Sequence, residues 1–213
     1  LPMLIYDGIS LKKFVPNNPI RTDALEYVAT YANGNISYKL NGHNPLSISV
    51  TPYTLRIKGS LPHYWQGHSY RYHVSDFRHT IESIEDALGV SLYNSEVTKL
   101  EFNCIIEAPP EITMNSIKLT HHTPNRYVKN VFQHGMEFKR KSTNVKLYDY
   151  VARSKQTLEK NMREMLMNQF MYDPNNYNYF KLECVWNRIN NIKLNDLFTE
   201  SKISYFKDTL KSF

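Results

Sequence analysis

Asn144-Val145-Lys146-Leu147-Tyr148-Asp149-Tyr150 is the stretch on which the reading of the chain turns. Val145 and Leu147 alternate with Asn144, Lys146 and Tyr148; spacing of period two puts the apolar pair on one side of a strand and the polar three on the other. Just upstream, residues 136–140 read as the hairpin partner, turned at Lys141-Ser142. Downstream, a basic helix is predicted over residues 153–171, with Leu158, Met162, Met165, Leu166 and Gln169 in one stripe. Asp173-Pro174-Asn175-Asn176 ends it. A strand over 179–186 follows, in which Phe180, Leu182, Cys184 and Trp186 alternate with Lys181, Glu183 and Val185.

The same pattern recurs towards the N-terminus. Residues 99–107 place Leu100, Phe102, Cys104 and Ile106 on a core side and Glu101, Asn103, Ile105 and Glu107 opposite. Ahead of them a helix is predicted from an N-cap at Ser75, with Phe77, Ile81, Ile84 and Leu88 at helical spacing and Gly89 as its stop. Residues 59–73 form a loop dense in rings and basic groups, among them His63, Tyr64, His68, Tyr70 and Arg71. Residues 36–40, 46–50 and 53–57 are a meander broken at Asn41-Gly42 and Thr51-Pro52. Arg56 and Lys58 alternate with Leu55 and Ile57, so one face there is basic. Residues 4–14 are a first strand, 21–33 a loop or weak helix, and Thr123-Pro124 opens a short helix carrying Tyr127, Val128 and Val131. The fold class is α+β: an antiparallel sheet with helices packed mainly on one face. One domain spans residues 1–213, with a helical tail at 191–213.

Composition sets the outer limits. The chain has 213 residues, enough for one sizeable core. No stretch is apolar enough to span a bilayer, and Leu1-Pro2-Met3 lacks the layout of a signal peptide, so a cytoplasmic protein is expected. Cys104 and Cys184, each in an apolar run, read as buried thiols in a reducing compartment. A net charge of +6 and sixteen tyrosines favour a polyanion with stackable bases.

Three strands far apart in sequence thus each carry a functional group opposite their apolar side: Glu101, Tyr148 with Lys146, and Glu183. Two carboxylates with an imidazole or water suit Mg²⁺ or Mn²⁺, and a tyrosine beside such a site can attack phosphorus. Its hydroxyl needs a cation or base nearby, and Lys146 or Lys155 can supply the charge. The same residues also read as an ordinary solvated sheet face, with Glu101 and Glu183 paired to Lys99, Lys146 or Lys181.

Short motifs favour the first of these readings. Lys58-Gly59-Ser60, Gln66-Gly67-His68-Ser69, Ser75-Asp76-Phe77, Lys99-Leu100-Glu101-Phe102-Asn103, Lys146-Leu147-Tyr148-Asp149-Tyr150 and Lys181-Leu182-Glu183-Cys184 together resemble, in order, motifs of the filamentous-phage gene II / gene X replication proteins and related plasmid initiators. The resemblance covers about residues 46–190. It implies a rolling-circle initiator of the HUH-endonuclease class, with the motifs in permuted order, that nicks and rejoins single-stranded DNA through a 5′-phosphotyrosine. It also implies Tyr148 as nucleophile, Glu101, Glu183 and His68 as ligands of Mg²⁺ or Mn²⁺, and Lys146, Tyr150 and Lys155 as further catalytic candidates. Arg56, Lys58, Arg71, Lys139 and Arg140 are the DNA-binding candidates. The implied partners are single-stranded DNA at a replication origin, a host helicase and a DNA polymerase, in a bacterial cytoplasm and with no membrane. The chain departs from the pattern twice: it has no His-hydrophobe-His pair, and Tyr150 stands where the family has a lysine after Tyr-Asp. Tyr150 is accordingly a second candidate nucleophile. Two other functions fit the residues: a non-catalytic single-stranded DNA-binding protein, and a transposase or relaxase of the same chemistry.

Overall fold

Alternation of apolar and polar residues, repeated from strand to strand, builds one continuous sheet. The computed structural model describes residues 3–16, 20–120, 127–170 and 172–213. Its strands are β1 (Ile5–Phe14), β2 (Leu25–Thr30), β3 (Ile36–Leu40), β4 (Leu46–Val50), β5 (Thr54–Ser60), β6 (Glu96–Ala108), β7 (Val128–Phe132), β8 (Gly135–Lys139), β9 (Thr143–Asp149) and β10 (Asn178–Trp186). They pair in the order β2-β3-β4-β5-β1-β6-β10-β9-β8-β7, antiparallel throughout. Two meanders are therefore joined through β1 and β6, and the N-terminal strand lies in the middle of the sheet.

The helices are α1 (Leu61–Gln66), α2 (Val74–Leu88), α3 (Met114–Thr120), α4 (Tyr150–Thr157), α5 (Lys160–Phe170) and α6 (Glu200–Lys211), with a 3₁₀ turn at Leu194–Phe198. On α2 the stripe Phe77, Ile81, Ile84 and Leu88 is fully buried, as its spacing dictates. Asp76 accepts the His73 N–H at 2.7 Å, which makes His73, rather than Ser75, the N-cap. Gly89, at φ 66°, closes the helix in a left-handed conformation that suits glycine. On α6, Phe206 packs 4.6 Å from the ring of Phe102 and 5.4 Å from that of Trp186. Burying such a ring contributes roughly 1.5–3 kcal/mol, and it anchors the helical tail to the sheet. Tyr6 adds a tie by donating to Leu197 O at 2.9 Å. Cys104 and Cys184 are buried free thiols.

Several expectations change. Residues 25–30 are an edge strand rather than a loop or helix, because Leu25, Tyr27 and Thr30 find partners in β3, with a bulge at Val28. The ring-rich segment 59–73 contains α1, started by Pro62 in the first turn under the Ser60 cap. The helix expected after Thr123-Pro124 is not seen where it can be described: 121–126 lie outside the described residues, and Val128–Phe132 is a strand. The helix of that region comes earlier, as α3. The stripe predicted over 153–171 is split into α4 and α5 by Leu158, which is extended at φ −102° and ψ 139°. Leu158 instead packs beside Leu166 in a second, smaller cluster with Tyr70, Tyr150, Tyr172 and Tyr179. This cluster sits over the face opposite α2 and α6, so α4 and α5 cover part of the second face, while α2, α3 and α6 pack into the main core. Among the described residues no helix is long and apolar enough to cross a membrane.

Candidate functional site

Four neighbouring central strands, β1, β6, β10 and β9, supply the site. Pairing fixes which residues share a face: Glu183 lies opposite Asn103 on one side and Lys146 on the other, and Lys181 lies opposite Tyr148. All of them project away from the main core, as alternation requires. On β1 the register slips between the pairs Tyr6/Phe102 and Ile9/Leu100. Two residues, Asp7 and Gly8, therefore stand against Glu101 alone, which is a β-bulge. The bulge re-phases the strand: Tyr6 and Ile9, three residues apart, both face the core, while Asp7 shares the polar face with Asn103. Gly8 leaves room for the neighbouring carboxyl, since a Cβ there would lie 3.2 Å from Glu101 Oε2.

The charges converge. Lys181 Nζ donates to Asp7 Oδ2 at 2.6 Å and lies 3.6 Å from Glu183 Oε2. Asp7 also accepts from Ser60 Oγ, from Ser69 Oγ at 2.8 Å and from Asn103 Nδ2 at 3.1 Å. Glu183 accepts Lys146 Nζ at 3.1 Å on Oε1 and the Tyr148 hydroxyl at 3.2 Å on Oε2. Asp7, Lys181 and Glu183 are only 3%, 4% and 6% exposed, and charges so buried are tolerated only when paired and hydrogen-bonded. A cavity of about 280 Å³ opens beside them, bordered also by His63, Glu101, Tyr150 and Arg153.

The protonation states follow from this packing. Burial works against a charged Asp7, yet Lys181, His63 and the Ser60 hydroxyl hold its carboxyl well below the usual range. Burial likewise opposes a charged Lys181, but Asp7, Tyr148 and Glu183 keep it an ammonium. Glu101 goes the other way: burial, then the charges of Glu183 and Asp7, push its carboxyl up to about 8. At neutral pH it holds a proton, and it hydrogen-bonds to Glu183. The Tyr148 hydroxyl is raised by burial, while Lys181 pulls it back. Lys146, opposed by burial, is raised by Glu183.

Of the residues singled out from sequence, Tyr148, Lys146, Glu101 and Glu183 are therefore brought together. Tyr150 borders the same cavity but begins α4, and its ring stacks on Tyr70 at 6.5 Å and meets Tyr172 edge-on at 6.1 Å. Lys155 is exposed on α4 and does not line the cavity; Arg153 does. His68 is fully buried, edge-on to Phe170 at 5.0 Å, with Nδ1 3.2 Å from Gln66 Nε2. Burial depresses its imidazole to about 4, and it too is not among the cavity's lining residues. Arg56 and Lys58 are exposed on β5, without ion pairs among the described residues. Lys139 instead pairs with Glu137 at 2.9 Å. Arg140 hydrogen-bonds to Tyr127, and Arg71, left-handed at φ 51°, lies over the Tyr70 ring.

Sequence reasoning gave no site role to Asp7, Ser60, His63, Ser69 or Arg153, although Ser60 and Ser69 fall inside the quoted motifs, and Lys181 stood in a motif and as an alternative ion-pair partner. One signal for Asp7 was present: an acid followed by glycine inside the apolar run Leu4-Ile5-Tyr6-Asp7-Gly8-Ile9, the kind of interruption that marks a bulge.

No three His, Cys, Asp or Glu side chains among the described residues are grouped as a ready-made metal cage. The chemistry of Glu101 and Glu183 nevertheless suits Mg²⁺ or Mn²⁺, because Mg²⁺ in particular is commonly held by one or two carboxylates with waters and a substrate phosphate completing its shell. The carboxyl–carboxyl contact that keeps a proton on Glu101 is one that a divalent cation would relieve. His68, neutral and turned to Phe170, does not join that pair. No family model and no curated protein matches the chain.

Proposed function

We propose that the protein is a rolling-circle replication initiator that nicks and rejoins single-stranded DNA at an origin, on a permuted HUH-endonuclease-like sheet, with Tyr148 as nucleophile. One observation carries the reading: the Tyr148 hydroxyl already donates to a carboxylate, Glu183, which is flanked by two lysines, at the wall of a cavity reachable by a phosphate. In nicking, the phenol proton passes along that hydrogen bond to Glu183 Oε2. The Tyr148 oxygen bonds to phosphorus as the bond from phosphorus to the 3′ oxygen breaks, and that oxygen takes a proton from water to leave as a 3′ hydroxyl. Lys181, close to both Tyr148 and Glu183, favours the developing phenolate. Glu101 and Glu183 would hold a Mg²⁺ or Mn²⁺ ion, which when bound would supply Lewis-acid polarisation of the phosphate. Because an ester replaces an ester, the energy to rejoin the strand is retained, and reversal regenerates the phenol. In a bacterial cytoplasm a host helicase would open the duplex and a DNA polymerase would extend the 3′ hydroxyl.

Support for DNA as the substrate comes from the same face of the sheet farther out. Lys99, Lys58 and Lys39 lie in one cross-strand row through Ser10 and Ser47, and Lys12 lies directly opposite Arg56. None of these five forms an ion pair among the described residues, although Glu26 lies directly opposite Lys39 and Glu96 opposite Lys12; Lys12 and Arg56 are the like charges directly opposite one another that a bound anion would steady. This observation alone also fits a non-catalytic single-stranded DNA-binding protein. A relaxase or transposase would share the chemistry and differ in where the cut lies.

The test is incubation with labelled single-stranded origin oligonucleotides and Mn²⁺ or Mg²⁺, then a denaturing gel and peptide mass analysis. A metal-dependent covalent adduct on Tyr148, lost in Tyr148→Phe while binding persists, is the expected result. An adduct on Tyr150 moves the nucleophile by two residues. Tight binding without cleavage across a broad set of sequences overturns the enzymatic reading in favour of the binding module.

A further inference from the structure

A second cavity, of about 420 Å³, lies on the other side of Tyr148 and shares Tyr148, Arg153 and Glu183 with the first. Its floor and walls follow from one cross-strand row. Phe132 pairs with Gly135, and Gly135 with Tyr148, so the two rings stand on the same face with a glycine between them. Their backbones are two strand spacings apart, about 9.5 Å. The glycine is what keeps the space open: a Cβ at Gly135 would come 2.7 Å from Tyr148 Cβ and 2.7 Å from Leu147 O. Phe132 is 55% exposed, so its ring at the rim of the charged site is open to a ligand.

The surrounding groups are polar and pinned. Gln133 and His134 form the β7–β8 turn, and Gln156 and Arg153 reach in from α4. The turn is fastened from two sides, since the Asp149 N–H donates to His134 O at 2.8 Å and Lys118 Nζ to Gln133 O at 2.7 Å. Two aromatic walls, a bare floor and amide edges, with a guanidinium shared with the phosphate-sized cavity next door, match one kind of ligand. A base stacked on both faces needs about 7 Å between ring planes, twice the rise of about 3.4 Å in stacked DNA, and aromatic walls serve any base because every base has a π-face.

We infer that this cleft is a nucleobase slot, in which the nucleotide next to the cut phosphate is held unstacked between Phe132 and Tyr148, with its edge towards Gln133 and Gln156. The slot rests on the nucleic-acid reading above and adds to it a residue, Phe132, that selects base-bearing strand over bare backbone. Its test uses fluorescence anisotropy with labelled deoxythymidine, deoxycytidine and deoxyadenosine homopolymers and with an abasic strand of equal length. Wild type should prefer base-bearing strands, and Phe132→Ala should erase about 5- to 150-fold of that preference, the range for loss of one stacked base. Phe14→Ala, which removes another exposed ring far from the cleft, should retain the preference. An exposed ring is no part of the core, so Phe132→Ala keeps its fold, which circular dichroism checks. Phe132→Ala with undiminished preference, or an equal loss in Phe14→Ala, overturns the slot while leaving the nicking proposal standing. Wild type that binds no strand overturns the slot through the failure of the nucleic-acid reading itself.

Discussion

Removing either charge of the Asp7–Lys181 pair should be costly, and removing both should be much less so. In Asp7→Asn the buried Lys181 ammonium keeps Glu183 at 3.6 Å as its one remaining carboxylate within ion-pair range. Breaking a buried pair from one side costs about 3–5 kcal/mol, and the Glu183 contact places this variant near 3 kcal/mol. In Lys181→Met the Asp7 carboxylate keeps Ser60, Ser69 and Asn103 as donors, which again sets the cost near 3 kcal/mol. The double variant leaves no buried charge without a partner at this position. Replacement of a buried pair by neutral groups is often close to neutral, so it should lose about 2 kcal/mol or less, against roughly 6 kcal/mol if the single effects added. Equilibrium urea unfolding at neutral pH, with slopes compared to confirm a two-state transition, measures all four proteins. Each single variant should also melt about 6–12 °C lower, at about 2–4 °C per kcal/mol for a chain of this size. Additive losses, or single variants within 1 kcal/mol of wild type (about the size of an exposed ion pair), would refute the argument that Asp7 and Lys181 depend on one another.

Two further outcomes follow from the structure. His68 is held neutral in the fold, with its imidazole depressed by burial from 6.5 to about 4, so below pH 6.5 the unfolded chain binds a proton that the native one refuses. Stability should therefore fall as pH drops from about 6.5 to about 4, by about 3 kcal/mol in all; His68→Gln should flatten that part of the curve, and an unchanged slope would rule His68 out as its source. Replacing Arg56 and Lys58 with alanine should weaken binding of single-stranded DNA and reduce its logarithmic salt slope by about 0.7 for each phosphate that is no longer neutralised; affinity and slope equal to wild type would remove β5 from the DNA path.

How much of this could be read beforehand differed sharply between strands and site. Where alternation was strong, as in Val145/Leu147 and Leu182/Cys184, both the strand and the direction of each side chain were legible, because period two leaves no other way to bury the apolar set. Glu101, Glu183 and Tyr148 were therefore each legible as lying opposite the apolar side of their own strand, whereas the adjacency of the three strands was not. Nor was Asp7, because a bulge breaks the rule that makes strands readable, and its partners come from residue 60 and beyond. The split between α4 and α5 was equally hidden: Leu158 and Leu166 fit one helical stripe, and only the packing of Leu158 into the tyrosine cluster on the second face separates them. The short strand Val128–Phe132 carries too few residues to outweigh a cap-and-proline signal just before it.

The central position of β1 also gives the site a history in time. Asp7 and the lysine that pairs with it are made 174 residues apart. At about 5–20 residues per second, that gap is about 9–35 s of synthesis. Until β6 and β10 have emerged, the first strand lacks a neighbour on one edge and its carboxylate lacks a cation. The nascent chain therefore holds β1 in waiting, and the carboxylate–lysine centre can close only once β10 has been made.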